Sequence, residues 1–322
     1  MPGLRASRRR FLTAAGAASI VGIAGCSGGG DGGSTPTATA TPNQEALEHY
    51  GTAVETLIET NGTLDEWADS SFESDRVGAL QNRVSSAREE LAAAEEAADP
   101  SGELAPRIAQ ATLVADFQAL SLAYYEAVNV FFQVVSRASE FAGNELHQRA
   151  ADTYAESQGV LEDARQVVED MGTILSNIDN ETLGEPELEY TGEPLDHLDL
   201  ADMGAIDAAE SYALANENLH LAFVQFEVGN EHSENEEFAE AKADWETGRT
   251  HAEEALAAFE AAVDNQYTPE NIRQDSIAKL GAAETLIDAF DKFIQAASAA
   301  EAGNQAEASE LFNEGLDILS EL

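Results

Sequence analysis

Between Gln44 and Leu322 apolar residues recur at alternating spacings of three and four, and this rhythm admits one kind of element. Such spacing lays a single apolar stripe along an α-helix, whereas a strand needs alternation of two. Val77, Leu80, Val84, Ala87, Leu91, Ala94 and Ala98 form one stripe, and Leu161, Ala164, Val168, Met171, Leu175 and Ile178 another. Ala205, Ala208, Tyr212, Ala215, Leu219, Ala222 and Phe226 make a third. Phe238, Ala241, Trp245, Gly248, Ala252, Ala255, Phe259 and Ala262 follow, then Leu280, Ala283, Ile287, Phe290, Ile294 and Ala297. The expected fold class is all-α, a bundle of long antiparallel helical hairpins, since seams of Ala with interspersed rings let helix axes approach closely. Leu113 to Val135 is apolar on nearly every side, which predicts a central helix surrounded by others; Asp116, Gln118, Glu126, Asn129 and Gln133 make it too polar for a membrane span.

Breaks separate the stripes and rule out one extended coiled coil: Asp99-Pro100-Ser101-Gly102, Gly143-Asn144, the stretch from Asn180 to Met203, Gly229-Asn230 and Tyr267-Thr268-Pro269. Thr268 before Pro269 predicts an N-cap with proline at the first helical position. Gly143, Gly229 and Gly303, each followed by Asn, are expected to end a helix in a left-handed turn. After Gly303, Ala308, Phe312 and Gly315 resemble the small, aromatic and small positions of a tetratricopeptide repeat's second helix, and Ala241, Trp245 and Gly248 match them after a polar insertion at 231–237. The resemblance covers two hairpins well and the Tyr154 region poorly, without the family's regular repeat length. It implies hairpins with tetratricopeptide-like turns and, in a full solenoid, a concave surface that takes a peptide or helix.

The opening of the chain reads as an address. Arg5, Arg8, Arg9 and Arg10 precede an uncharged run, Phe11 to Gly25, too short to cross a bilayer of roughly 30 Å. Ser7-Arg8-Arg9-Arg10-Phe11-Leu12-Thr13 resembles the twin-arginine export motif, with Arg8 and Arg9 as its pair and Phe11 and Leu12 as its apolar continuation. Ile23-Ala24-Gly25-Cys26 resembles a lipobox, which implies lipidation of Cys26 and cleavage before it. Cys26 is the only cysteine, so no disulfide within the chain competes with an anchor. Residues 1–25 are thus expected to be a twin-arginine lipoprotein signal peptide and 26–43 a flexible Gly/Ser/Thr/Pro tether averaging roughly 23 Å end to end. Residues 44–322 form the helical domain, with a possible subdivision near 181–203. The implied location is the extracytoplasmic face of the cell membrane.

The formal net charge is −45, and the leader holds four of the basic residues and no acid, so its removal makes the balance more negative still. That charge excludes nucleic acid as a routine partner, because phosphate neutralisation needs the opposite sign. Hydrophobic residues at 43%, placed periodically, exclude a disordered acidic chain. At about 1 M salt the Debye length is roughly 3 Å, so a dense acidic surface becomes tolerable and attracts diffuse inorganic cations. With the export motif and only three lysines (Lys242, Lys279, Lys292), the chain resembles secreted proteins of extremely halophilic archaea.

Catalytic patterns are lacking: there is no Gly-x-Ser-x-Gly, phosphate-cradling glycine loop, paired cysteine or His-Glu-x-x-His. The weak metal candidates are Glu217 with His220, whose spacing of three puts carboxylate and imidazole on one helix face, and His251 with Glu254 in the reverse order. A carboxylate-bridged di-iron bundle would need a second Glu-x-x-His, which the chain lacks, and Gly248-Arg249-Thr250-His251 misses the imelysin-like Gly-x-His pattern by one residue. The acidic stretch 180–203 offers oxygen ligands without calcium-loop spacing and reads as a strap whose leucines close the bundle. The expectation is a non-enzymatic, lipid-anchored module without cofactor that binds another protein or scaffolds a surface assembly. The alternative is a solute- or metal-binding lipoprotein with an inter-helical pocket near Trp245, His220 and His251.

Overall fold

The computed structural model describes residues 44–69, 76–188 and 202–322. Among them every regular element is helical. The α-helices are α1 (Gln44–Asp69), α2 (Val77–Ala97), α3 (Leu104–Gly143), α4 (His147–Leu175), α5 (Asn180–Leu183), α6 (Met203–Glu234), α7 (Phe238–Asp264), α8 (Glu270–Glu301) and α9 (Gln305–Leu319), with a 3₁₀ turn at Pro186–Leu188. The chain is therefore all-α. Its described residues fall into two compact units: residues 44–69, 76–119 and 174–188 in the first, and 120–173 and 202–322 in the second. Helix α3 contributes residues 104–119 to the first and 120–143 to the second.

In the first unit α1 packs on α2, and the seam read from the sequence is the buried one: Val77, Leu80, Val84, Ala87, Leu91 and Ala94 are inside. Gln118 of α3 is fully enclosed and donates from Nε2 to the Leu57 carbonyl of α1 at 2.9 Å. Of the stretch expected to be a strap, residues 180–188 are described, and they bury Leu183 and Leu188 in this unit. Asp179 caps the short α5 by accepting from the Glu181 and Thr182 amides, and Gly184 (φ 64°) turns the chain out of it. Arg107 of α3 then bonds the Leu183 carbonyl and Glu185, and lies over the Tyr50 ring at 5.2 Å. Burial pushes the Tyr50 phenol up to about 12.

The second unit stacks α6 on α7, α7 on α8 and α8 on α9, with α8 also touching α6. The α6 stripe Ala208, Tyr212, Ala215, Leu219 and Ala222 is buried, as are Ala241, Trp245, Gly248, Ala252, Ala255, Phe259 and Ala262 of α7. On α8 the core runs through Ala283, Leu286, Phe290, Phe293 and Ala297, so Ile287 and Ile294, expected in the seam, flank it instead. Ion pairs cross the seams among the described residues: Arg137–Glu156 between α3 and α4, Arg165 to both Asp207 and Glu210 between α4 and α6, Arg249–Asp291 between α7 and α8, and Lys292–Glu314 between α8 and α9, while the His232 ring meets Asp244 at 2.7 Å between α6 and α7.

Four expectations are corrected. Helix α6 does not end at Gly229-Asn230 but runs on to Glu234, because Gly229 serves a different purpose: a Cβ there would overlap the Trp245 indole. The polar insertion at 231–237 is thus the last turn of α6 and the following connection. At the hairpin turns the left-handed residues are Glu145 (φ 60°), Glu236 (φ 63°) and Gly303 (φ 79°), so only the third hairpin uses the glycine singled out for it. Helix α8 is capped by Pro269, whose carbonyl accepts from Arg273, while Thr268 turns its hydroxyl back to the Ala262 and Asn265 carbonyls of α7. Finally, α3 is not enclosed along its apolar length, since Val130 and Phe132 are 38% and 37% exposed.

The three left-handed residues head one repeated motif. In each, the left-handed residue's amide bonds the carbonyl three back, and the next amide bonds the carbonyl five before it: Glu145 to Ala142 and Leu146 to Phe141, Glu236 to Ser233 and Glu237 to His232, Gly303 to Ala300 and Asn304 to Ala299. This is the Schellman pattern, which satisfies the last carbonyls of a helix. Five, nine and twelve residues later stand small, aromatic and small side chains: Ala150, Tyr154, Ser157; Ala241, Trp245, Gly248; Ala308, Phe312, Gly315. Seven residues earlier stand Ala138, Gly229 and Ala296. The second unit is therefore three hairpins in common register, α3/α4, α6/α7 and α8/α9, and the Tyr154 region fits the motif that the sequence reading found only in the other two.

Candidate functional site

Arg8, Arg9, Phe11, Leu12, Ile23, Ala24, Gly25 and Cys26, expected from the sequence to carry export and anchoring, lie outside the described residues, as does the acidic stretch beyond Leu188 up to residue 201. The histidine and glutamate candidates lie in the second unit, where α6 is flanked by α4 and α7. The spacing of three does place Glu217 and His220 on the side of α6 that meets α4, but their partners differ. Gln158 donates from Nε2 to Glu217 at 2.6 Å, and burial raises the Glu217 carboxyl while that hydrogen bond opposes the shift.

His220 instead enters an aromatic stack. Its ring lies 5.8 Å from Tyr154 at 17° and 5.4 Å from His147 at 26°, and His147 in turn stacks on Phe223 at 4.7 Å. The Nδ1 atoms of His147 and His220 are 3.3 Å apart. Tyr154 meets Tyr212 edge-on, and Tyr212 donates to Asp275 at 2.7 Å. Lys279 of α8 reaches over the Tyr212 ring and donates to the buried Asn216 at 2.7 Å. The cluster joins α4, α6 and α8. Burial, with like charge from His147 and Lys279, holds the His220 imidazole down to about 3.

His251 is elsewhere: its Nδ1 meets the Asn218 side-chain oxygen at 2.8 Å and Glu254 at 3.7 Å, on the edge where α7 meets α6. A shallow, open depression on α7 is lined by Ala243, Glu246, Thr247, Thr250 and His251. The four metal candidates therefore do not converge. Among the described residues no three His, Cys, Asp or Glu side chains gather around a common point. Around Trp245, where an inter-helical pocket was expected, rings fill the space: Trp245 is 1% exposed, with Phe293 at 5.3 Å, Phe312 at 6.1 Å and Gly229 against its indole edge.

Sequence reasoning found His220 but not its environment. His147 gave no signal, because its pairing depends on how α4 lies against α6, and no spacing within either helix records that. Among the described residues no helix is long and apolar enough to cross a membrane. No protein-family model, curated protein or solved structure matches this chain.

Proposed function

We propose that this chain is a lipid-anchored extracytoplasmic protein whose helical hairpins act as a protein-interaction or scaffold module at the cell surface. The observation that carries the reading is the ordered series of Arg8-Arg9, an uncharged run, Ile23-Ala24-Gly25-Cys26 and a polar spacer ahead of the helical chain. Two long acyl chains on Cys26 would hold the protein firmly, since each buried methylene contributes roughly 0.8 kcal/mol. Three hairpins in common register support the second half of the reading, because stacked helical hairpins present long continuous faces to a partner. The low lysine content and dense acid fit an exported protein bathed in concentrated salt.

Fractionation tests the anchor. Cys26→Ser should move the protein from the membrane pellet to the soluble fraction, and unchanged sedimentation of a processed product would refute it. The interaction role predicts a stoichiometric protein partner on purification from detergent-solubilised membranes. A stoichiometric transition metal in the same material would replace it with the metal-binding alternative.

A further inference from the structure

The described histidines divide by partner. His49 meets Glu90 at 2.6 Å, His232 meets Asp244 at 2.7 Å and His251 meets Asn218 at 2.8 Å, so each of these rings faces a side-chain oxygen. The hydrogen-bond partner of His220 is another imidazole, that of His147. The pair keeps its bond only while one Nδ1 retains a lone pair; with both protonated, two N–H groups face each other across 3.3 Å. A charge on His220 would also be buried, at 7% exposure, between the Tyr154 and His147 rings.

The neighbours offer it no relief. From α8 comes Lys279, a like charge, whose own acid Asp275 it already holds at 2.8 Å. From α4 come His147 and Tyr154, and His147 is the first residue of α4, where the helix presents its positive end. On α6 itself Glu217 is one turn away but bonded to Gln158, and α7 turns His251 to Asn218. We propose that the His147–His220 pair is an acid-sensitive latch between the first and second hairpins, so that protonating both rings opens the α4–α6 seam.

The latch is independent of the proposed surface role. The folded-state value for His220, about 3, lies below its ordinary 6.5, so the opened chain binds more protons and stability is lost as pH falls from 6.5 towards 3. For this one ring the folding equilibrium drops about thirty-fold between pH 7.5 and pH 5. His220→Ile removes the titration, and Ile287 stands at the corresponding place in α8, sixteen residues before Gly303 as His220 is before Glu236. Urea unfolding of the full chain in constant molar salt should show this drop in the wild type relative to the variant; equal pH dependence overturns the proposal. Should the variant not fold, the wild-type His220 Cε1–H resonance decides. A shift that stays constant down to pH 5 supports the latch, and titration near pH 6.5 with the fold intact refutes it.

Discussion

A methyl group at position 229 would overlap the Trp245 indole, across the contact between α6 and α7. The same contact recurs at Gly248 against Phe290 and at Gly315, where a Cβ would lie 2.6 Å from the Phe293 ring. These glycines sit inside helices, where glycine costs about 0.5–1 kcal/mol relative to alanine, so packing outweighs propensity at each. Gly229→Ala should therefore destabilise by about 1–3 kcal/mol, the usual cost of overpacking, although alanine is the better helix former. Chemical denaturation measures it, and a stabilised variant would show that α6 and α7 pack less closely than described. Gly159, with nothing near its missing Cβ, supplies the control, since alanine there should stabilise.

At the scale of the element, the hairpin turns hold a second local conflict. Glu145 and Glu236 occupy the left-handed conformation that Gly303 takes without strain. Glu236→Gly should stabilise the α6/α7 hairpin by about 0.5–1 kcal/mol, and Gly303→Glu should cost a similar amount; thermal melts of both check the sign. This conflict also explains what the sequence disclosed. The helices and most buried faces were legible because a three-four rhythm is a property of one helix alone. Gly229-Asn230 misled because glycine has two uses, ending a helix and admitting a ring, and only the position of Trp245 tells them apart. Ser157 hid the first copy of the motif, being a small residue that reads as polar. The Thr268 hydroxyl was equally ambiguous between capping the helix ahead and bonding the carbonyls behind. Of the candidate site, Glu217 and His220 were legible as neighbours on one face, while the His147 contact belongs to the packing of two helices and left no mark in either.

For the whole molecule the deciding quantity is charge. The bases that cross the seams, such as Arg137, Arg249 and Lys292, sit at exposed or half-exposed positions, where an ion pair contributes only about 0.2–1 kcal/mol and salt screens it. Against them stands a net charge of −45, whose repulsion reaches neighbouring helices once the Debye length grows. That length is about 3 Å at 1 M salt and about 30 Å at 0.01 M, so dilution strengthens a handful of bridges and unscreens every carboxylate pair across the surface. The repulsion is the larger sum, because most acids have no base to face when acidic residues number 61 and basic ones 16. Helical circular dichroism should fall on dialysis from molar to millimolar salt and return when salt is restored. A divalent chloride should restore it at a lower concentration than sodium chloride, since each ion neutralises more charge at the same surface. Full helicity in millimolar salt would mean that the apolar seams alone outweigh the repulsion, and the halophilic reading of the composition would fail with it.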